Sequence, residues 1–292
     1  HRDLHSFPTR RSSDLKMKIG VFDSGYGGLT VFKDIVEHLP QYDYIYLGDN
    51  ARTPYGTRSF EIVYKYTLQA VKKLFELDCQ LVILACNTAS AKALRTIQQN
   101  DLPNIAPNRR VLGVIRPTVE IIDLYTQTNK IGILATPGTV ASESYKIEIN
   151  KFFPQIDVFQ QACPMLVPLV ENNEHLNDGA DFFVEKYIKQ LYNQNKNIDS
   201  IILACTHYPL LLPKILKYTF PYTKVLSQGL IVAKSFEDYL KRHPEIEVKL
   251  SKSSTYNFFT TDRTEVFDEM TSIFLSNTMK INSQKIELEK KF

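Results

Sequence analysis

Two of the four cysteines lie in nearly identical sequence surroundings. One pattern occurs twice, 119 residues apart, as LVILACNT at 81–88 and as SIILACTH at 200–207. In each copy a β-branched run typical of a buried strand ends at the cysteine, and a segment with helical character follows. The sequence therefore presents a thiol twice, at equivalent places in two similar units.

Two equivalent thiols that face one substrate suit a reaction that inverts a stereocentre. A base must remove a proton from one face of the carbon and an acid must deliver a proton to the other face, and thiolate and thiol can exchange these roles near neutral pH. Ligands of open α/β sheets bind beyond the carboxyl ends of the strands, where the start of the next helix favours a thiolate. We therefore predict that Cys86 and Cys205 are catalytic, with lowered pKa values. Cys79 and Cys163 lack the repeated context and are interpreted as small buried apolar residues.

Polar residues surround the two thiols and follow the first predicted strand. Asn87 and Thr88 come after Cys86, Thr206 and His207 come after Cys205, and DSGYGG occupies 23–28. Helix capping is the alternative interpretation of these side chains. The glycines allow a tight turn and a close approach to a ligand, but the spacing lacks the full pattern of a nucleotide site. His207 could bind a metal together with Cys205, but no second pair at ligand spacing accompanies them, so no metal is predicted.

Strands and helices alternate along the chain, which predicts an α/β protein with mostly parallel sheets. The clearest helix is 59–77, with Ser59 as its N-cap, and a closing helix is expected at 264–275. Predicted strands are Lys18–Phe22, Tyr44–Leu47, Leu81–Ala85, Val111–Ile115, Lys130–Leu134, Asp157–Gln160, Ser200–Ala204, Lys224–Leu226 and Thr255–Thr260.

The repeat indicates two similar α/β domains related by a pseudo-two-fold axis, with the active site in the cleft between them. A second match, IGVF at 19–22 and IGIL at 131–134, has an offset of 112 residues, close to that of the cysteines. A chance match of short strands is the alternative. We predict a first domain of residues 17–114 plus 228–292 and a second domain of residues 115–227.

Composition excludes several classes of protein. The net charge of +3 includes +2 from residues 1–16, so no basic surface for nucleic acid is indicated. Residues 1–16 are polar and precede Met17, and we interpret them as a non-native or disordered extension; a signal peptide is the weaker alternative. No apolar run reaches the ~20 residues that span a bilayer. Four cysteines in 292 residues do not suggest a disulfide framework, and we expect a cytoplasmic protein with no membrane partner.

Six segments together resemble the glutamate racemases of the aspartate/glutamate racemase family, over nearly all of the chain from Met17 to about Met279. They are GVFDSGYGGLTV (20–31), GDNARTPYG (48–56), ACNTASA (85–91), ATPGTV (135–140), ACPMLVPLVE (162–171) and ACTHYPLL (204–211). The resemblance implies two α/β domains, with the C-terminal part returning to the first.

The resemblance also implies an activity and a set of site residues. The activity is interconversion of L-glutamate and D-glutamate for peptidoglycan and cell-wall synthesis, with no cofactor, pyridoxal phosphate or metal. Cys86 and Cys205 would transfer the protons, with Asp23 and His207 as their respective helpers and Glu171 nearby. The implied substrate contacts are Asp23, Ser24, Tyr55, Gly56, Asn87, Thr88, Thr206 and His207. A homodimer is left open.

The chain departs from the residues that are common in the family at three positions, and three other functions are alternatives to a glutamate racemase. Tyr26, Asn50 and Thr53 replace a smaller apolar residue, a threonine and an apolar residue, which puts the shape of the pocket and the mobility of its loops in doubt. An aspartate racemase differs by one methylene of substrate, worth only ~1–3 kcal/mol. A pyridoxal-phosphate racemase would need a Schiff-base lysine and a phosphate cradle. A non-catalytic binding module is the third alternative.

Overall fold

The computed structural model describes residues 16–275 and 281–288. Of the extension predicted at residues 1–16, only Lys16 falls within these ranges, so that prediction lies outside the described residues.

Within the described residues, ten strands form two sheets in which every pair of neighbouring strands is parallel. The first sheet has the order β10-β9-β2-β1-β3-β4 and the second has the order β6-β5-β7-β8. This confirms the predicted α/β class. The strands are β1 Lys18–Asp23, β2 Tyr44–Gly48, β3 Cys79–Leu84, β4 Arg110–Gly113, β5 Lys130–Ala135, β6 Asp157–Ala162, β7 Ser200–Ala204, β8 Lys224–Leu226, β9 Tyr256–Thr260 and β10 Ser283–Lys285.

Helices cover the faces of both sheets, as parallel sheets require because their strands are apolar on both sides. Within the described ranges they are α1 Leu29–His38, α2 Phe60–Glu76, α3 Asn87–Lys92, α4 Leu94–Thr96, α5 Leu102–Ile105, α6 Ile115–Val119, α7 Pro137–Ala141, α8 Ser144–Phe152, α9 Leu166–Glu171, α10 Asp178–Gln194, α11 Leu212–Tyr218, α12 Gly229–Arg242, α13 Pro244–Glu247 and α14 Thr264–Leu275.

The sequence pattern explains why the central strands are buried. Val82, Ile83 and Leu84 of β3 are at most 1% exposed, and the same holds for the corresponding apolar run of β7. Such a continuous apolar run has no polar face to turn towards water, so helices must cover it on both sides. The Ser59 hydroxyl caps α2 as predicted, accepting a hydrogen bond from the Ile62 amide at 3.3 Å.

The structure corrects two local predictions and adds one strand that was not predicted. The strand expected at Val111–Ile115 ends at Gly113, and Ile115 begins α6. Short β10 was not predicted, since Ser283–Lys285 carries no apolar alternation. The segment after Cys205 is a turn followed by a 3₁₀ segment, Tyr208–Leu211, so the α-helix on this side begins only at Leu212.

Strand order determines where a ligand can bind. In the first sheet the chain leaves β1 towards β2 on one side and later places β3 on the other; in the second sheet β5 is related in the same way to β6 and β7. Such a reversal opens a crevice at the carboxyl ends of the two strands. Asp23 and Cys86 lie at the first of these ends, and Thr136 and Cys205 lie at the second.

Candidate active site

A cavity with an accessible volume of about 80 Å³ lies where the two crevices face each other, and both Cys86 and Cys205 line it. It is bounded by residues that follow strands of both sheets and by the loop after β2. Of the residues predicted to contact substrate, the lining includes Ser24, Tyr55, Gly56, Asn87, Thr88, Thr206 and His207. Each thiol is 6% exposed, so both are nearly removed from solvent.

The Cys86 thiol lies at the start of α3, between two hydrogen-bonding groups. Its Sγ accepts from the Ala89 amide at 3.5 Å and donates to the Ser24 hydroxyl at 3.5 Å. The sequence between β3 and α3 contains no spacer residue beyond Ala85 and Cys86, so the thiol necessarily caps the helix. This geometry agrees with the position expected from the sequence.

The expected lowering of the Cys86 pKa is wrong for this structure. Burial raises the pKa of Cys86 to about 12, and the nearby Asp23 carboxyl adds to the increase. The hydrogen bonds from the Ala89 amide and with Ser24 act in the opposite direction, as the helix start was expected to do, but they do not compensate. Cys86 is therefore a protonated thiol at neutral pH in this structure.

The Cys205 thiol forms a chain with an imidazole and a carboxylate. Its Sγ lies 3.8 Å from His207 Nδ1, and His207 Nε2 lies 3.1 Å from Glu171 Oε1 at the end of α9. Burial alone would lower the pKa of His207, but the Cys205 sulfur and the Glu171 carboxylate outweigh it and raise the pKa to about 10. The ring is therefore an imidazolium at neutral pH, and it lies between the Cys205 sulfur and the Glu171 carboxyl group.

Asp23, at the end of β1, does not line the cavity but is fully buried behind it. Its Oδ1 accepts from the Gly25 amide at 2.9 Å, and its Oδ2 accepts from the Thr206 hydroxyl at 3.3 Å. Burial raises the pKa of Asp23, and the positive charge of His207 opposes that shift. The Asp23 carboxyl thus lies near Cys86 and also contacts Thr206, the residue next to Cys205. Its raised pKa gives it an increased affinity for a proton.

Gly27 allows the turn that follows β1 to lie close to Thr206 and His207, which follow β7 of the second sheet. A Cβ atom at this position would overlap the Thr206 hydroxyl and the His207 ring. The glycine-rich turn was predicted to allow close approach to a ligand; the structure shows that it also allows close approach between the two halves of the site.

We expect Gly27→Ala to lower kcat by about 10- to 100-fold, since displacement of a reacting group by ~1 Å can cost about 10²-fold. Gly179→Ala is the matched control, because a Cβ there meets nothing within 4 Å. Steady-state kinetics and thermal unfolding of both variants check this prediction. A fully active Gly27→Ala enzyme would show that the Thr206–His207 segment has room to move without consequence.

A buried carboxylate holds the loop that carries Tyr55 and Gly56. Asp49 is fully buried, accepts a short hydrogen bond from the Tyr55 hydroxyl and pairs with Arg52 Nε at 2.7 Å. The Tyr55 hydroxyl is therefore already occupied, and its ring forms part of the cavity wall. On the other side, a Cβ at Gly56 would lie 2.8 Å from Thr136 Cβ, so this loop also packs against the second sheet.

Several lining residues were not assigned by sequence reasoning. Thr136 caps α7, and its hydroxyl lies 3.0 Å from that of Thr88. Thr136 belongs to ATPGTV, one of the six segments that resemble the family. This segment lies at the end of β5, as DSGYGG lies at the end of β1, and that equivalent position is the signal that could have identified Thr136. The other unassigned lining residues are Thr53, Pro54, Thr57, Pro137, Cys163, Pro164, Val167 and Pro168.

Thr53, Asn50 and Tyr26, the three residues that differ from those common in the family, have different surroundings. Thr53 lines the cavity, so it affects the shape of the pocket directly. Asn50 accepts a hydrogen bond from the Thr260 hydroxyl at 2.9 Å, and Tyr26 packs against Phe267 with ring centroids 5.7 Å apart. The last two therefore connect the site to β9 and α14.

Cys163 lines the cavity although its sequence context did not single it out. Burial raises its pKa well above the ordinary value, and its Sγ donates to the Gln161 carbonyl at 3.5 Å. We expect Cys163→Ser to retain most of its turnover, with a stability loss of ~1 kcal/mol. A loss of several hundredfold in kcat, in a protein with a normal circular dichroism spectrum, would contradict this assignment.

Among residues 16–275 and 281–288, no group of three or more histidine, cysteine or acidic side chains has the arrangement of a metal site. None of the helices in these ranges is long and apolar enough to cross a membrane.

The fold and the cavity define an α/β enzyme in which both parallel sheets supply thiols to a common site, Cys86 from the first sheet and Cys163 and Cys205 from the second. The family model described as Asp/Glu/Hydantoin racemase matches residues 19–228. The chain belongs to this family, whose racemases are isomerases.

Individual members of the family are similar to this chain in sequence over nearly its whole length. It is 35% identical to the glutamate racemase of Persephonella marina, with 94% of this chain and 98% of that protein covered. It is 38% identical to the glutamate racemase of Staphylococcus epidermidis, at 93% and 98% coverage. The crystal structure of Francisella tularensis glutamate racemase in complex with D-glutamate superimposes with a TM-score of 0.83 at 33% identity, covering 94% of this chain and 99% of that one.

Proposed function

We propose that this chain interconverts L-glutamate and D-glutamate by transferring protons through Cys86 and Cys205, without pyridoxal phosphate, metal or nucleotide. The observation that carries the proposal is the single cavity lined by both thiols. Its lining contains no lysine within the described part of the chain, whereas a pyridoxal-phosphate enzyme forms its Schiff base with one.

The proton balance of the reaction is simple. One sulfur, as thiolate, takes the Cα proton, and the other, as thiol, delivers a proton to the opposite face, so substrate and product differ only in configuration. After each turnover the two sulfurs have exchanged protonation states. The next molecule of the opposite enantiomer is then accepted directly, or the protons redistribute through neighbouring groups.

The two thiols have different helpers for this exchange. Cys86, with its raised pKa, can act as the acid, while the His207 imidazolium lies 3.8 Å from Cys205 Sγ and can donate a hydrogen bond to that sulfur during proton transfer. In the opposite direction Cys86 must lose its proton, and buried Asp23, with its raised pKa, is a suitable acceptor. The hydrogen bonds from Ala89 and with Ser24 stabilise the thiolate once it forms.

Polar groups around the cavity suit an amino acid with two carboxylates. The hydroxyls of Ser24 and Thr88 and the second N–H of the Asn87 amide can donate to carboxylate oxygens. Aspartate is the second candidate substrate, since it presents the same groups one methylene shorter, a difference worth only ~1–3 kcal/mol in binding. Two relatives over most of the chain's length are glutamate racemases, which favours glutamate.

The biological setting follows from the proposed reaction. D-Glutamate made in this way would supply peptidoglycan synthesis and so cell-wall formation and cell shape. All four cysteines are free, which fits a reducing compartment, and we place the enzyme in the cytoplasm. The domain division at 114/115 and 227/228 and a homodimeric assembly are kept as part of the proposal.

Circular dichroism of L-glutamate, L-aspartate and L-glutamine incubated with the purified protein tests the proposal. We expect the optical signal of L-glutamate to decay to zero without added cofactor, at the same rate with and without EDTA. Faster decay with L-aspartate would reassign the substrate. Activity removed by EDTA and restored by zinc would contradict the mechanism, and a folded, reduced protein with no α-proton exchange would support the non-catalytic alternative.

A further inference from the structure

A buried hydrogen-bond cluster lies directly behind the cavity and includes the residue next to Cys86. Its four side chains, here called the crossing cluster, are Asn87, Thr118, Tyr145 and Gln228. Each is at most 3% exposed. They come from α3, α6, α8 and the residue before α12, so the cluster joins elements that pack on both sheets.

Gln228 is the centre of the crossing cluster. Its Oε1 accepts from Asn87 Nδ2 at 2.7 Å, while its Nε2 donates to the Tyr145 hydroxyl and to Thr118 Oγ1, both at 2.8 Å. The Tyr145 hydroxyl in turn donates to Asn87 Oδ1 at 2.7 Å. The Asn87 amide is thus held at both ends, and its orientation is fixed.

The cluster also lies where the chain passes between the two sheets. Val114 immediately follows β4 on the way to the second sheet, and its carbonyl lies 3.2 Å from Gln228 Nε2. Gln228 itself comes two residues after β8, where the chain returns to the first sheet. The Gln228 side chain therefore connects the two segments in which the chain passes between the sheets to the turn that carries Cys86.

We propose that Gln228 is a positioning residue that holds the Cys86 thiol in place in the cavity that it shares with Cys205. The inference rests on the proposed two-thiol reaction. Only a carboxamide meets the chemical requirement, because this position must accept a hydrogen bond from Asn87 and donate to two hydroxyls at the same time. When the carboxamide is lost, Asn87 and Tyr145 lose a buried partner, and the first turn of α3 is free to shift.

Gln228→Met tests this with a side chain of similar length that keeps neither polar function. We expect kcat/KM to fall by about 30-fold in both directions, since proton transfer is sensitive to displacements of ~1 Å. Gln80→Met is the matched control: Gln80 is 2% exposed and donates to the Asn108 carbonyl at 2.7 Å, away from the cavity. We expect the control to keep kcat/KM within about twofold of wild type.

Substrate isotope effects distinguish positioning from general loosening. If only the step at Cys86 is slowed, the α-deuterium effect on kcat/KM rises for the enantiomer that Cys86 deprotonates and falls towards one for the other. General loosening lowers activity but leaves the two isotope effects as they are in the wild type. Unchanged isotope effects in a folded Gln228→Met protein would therefore overturn the proposal.

Tyr145→Phe provides a second variant in case Gln228→Met does not fold. It removes only the hydroxyl that connects Gln228 to Asn87. We expect the same divergence of isotope effects with a smaller loss of activity, and a double variant whose loss is less than the product of the two single losses. A folded Tyr145→Phe enzyme with wild-type isotope effects also contradicts the proposal.

The cysteine variants separate this inference from the proposed function. If Cys86→Ala keeps its activity, the two-thiol reaction is wrong whatever Gln228 does. If Cys86→Ala is inactive and Gln228→Met behaves like Gln80→Met, the reaction stands and only the positioning role fails.

Discussion

Cys86→Ala and Cys205→Ala are each expected to lower racemase activity by at least about 10³-fold, equivalent to ~4 kcal/mol of transition-state stabilisation. Each variant keeps only one of the two thiols proposed to transfer protons, so it can serve one face of the α-carbon and cannot complete an inversion. Replacement by serine is expected to fail nearly as badly, because a hydroxyl is a far weaker base at neutral pH. Chiral chromatography of the products from each enantiomer measures the loss.

Cys79→Ala is the control for these two variants. Cys79 is also fully buried and free, but it lies at the beginning of β3, at the opposite end of the strand from Cys86. We expect it to lose stability and to keep its turnover. Equal losses in all three variants would indicate a general effect of removing buried sulfur.

Deuterated water gives an independent view of the same mechanism. Starting from either enantiomer, the wild-type product should carry deuterium at Cα, because the incoming proton comes from a thiol that has exchanged with solvent. Mass detection after chiral separation shows this directly. Product without deuterium would mean that one base returns the proton it removed, and the two-thiol reaction would have to be abandoned.

His207→Asn is expected to lower kcat by about 10²-fold or more, within the usual range for loss of an acid–base partner. Asparagine retains much of the volume but cannot carry the positive charge that lies between Cys205 and Glu171. His38→Asn is the matched control, because His38 also pairs with a glutamate, Glu237, at 2.9 Å but lies far from the cavity. An activity loss in the control as large as that of His207→Asn would argue against a specific role.

The pH dependence of stability gives this variant a second readout. The Cys205 sulfur and the Glu171 carboxylate raise the pKa of His207 from its ordinary value of about 6.5 to about 10 in the folded protein. The stabilisation from its charge is therefore fully present below about pH 6.5 and is lost as the pH rises through about 10. We expect the stability advantage of wild type over His207→Asn to shrink between pH 7 and pH 10. A difference independent of pH would mean that the ring is neutral in the folded state.

The sequence was sufficient to predict the α/β class, nine of the ten described strands and both cavity thiols. Cys86 and Cys205 could be found because each follows a strand at the carboxyl-end crevice of its own sheet, and the repeated motif indicated two similar units whose crevices form one site. The same reasoning applies to Thr136, which follows β5 as Asp23 ends β1. It was missed because a threonine in that position is also an ordinary helix cap.

Other features depend on packing that no local pattern encodes. Glu171 reaches His207 from α9, 36 residues away along the chain, and only the assembled fold brings them to 3.1 Å. The direction of the Cys86 pKa shift was wrong because the sequence shows the helix start, whereas burial and the neighbouring Asp23 appear only in three dimensions. The crossing cluster escaped notice for the same reason, since its four members are spread over 142 positions (87–228).

The burial of Cys86 has a consequence for chemical damage. Oxidants and alkylating reagents attack thiolates, and they need access to the sulfur. Burial raises the pKa of Cys86 to about 12, and the side chain is 6% exposed, so the sulfur is both protonated at neutral pH and shielded from solvent. We therefore expect Cys86, the residue proposed to act as a base during turnover, to react slowly with peroxide when no substrate is bound.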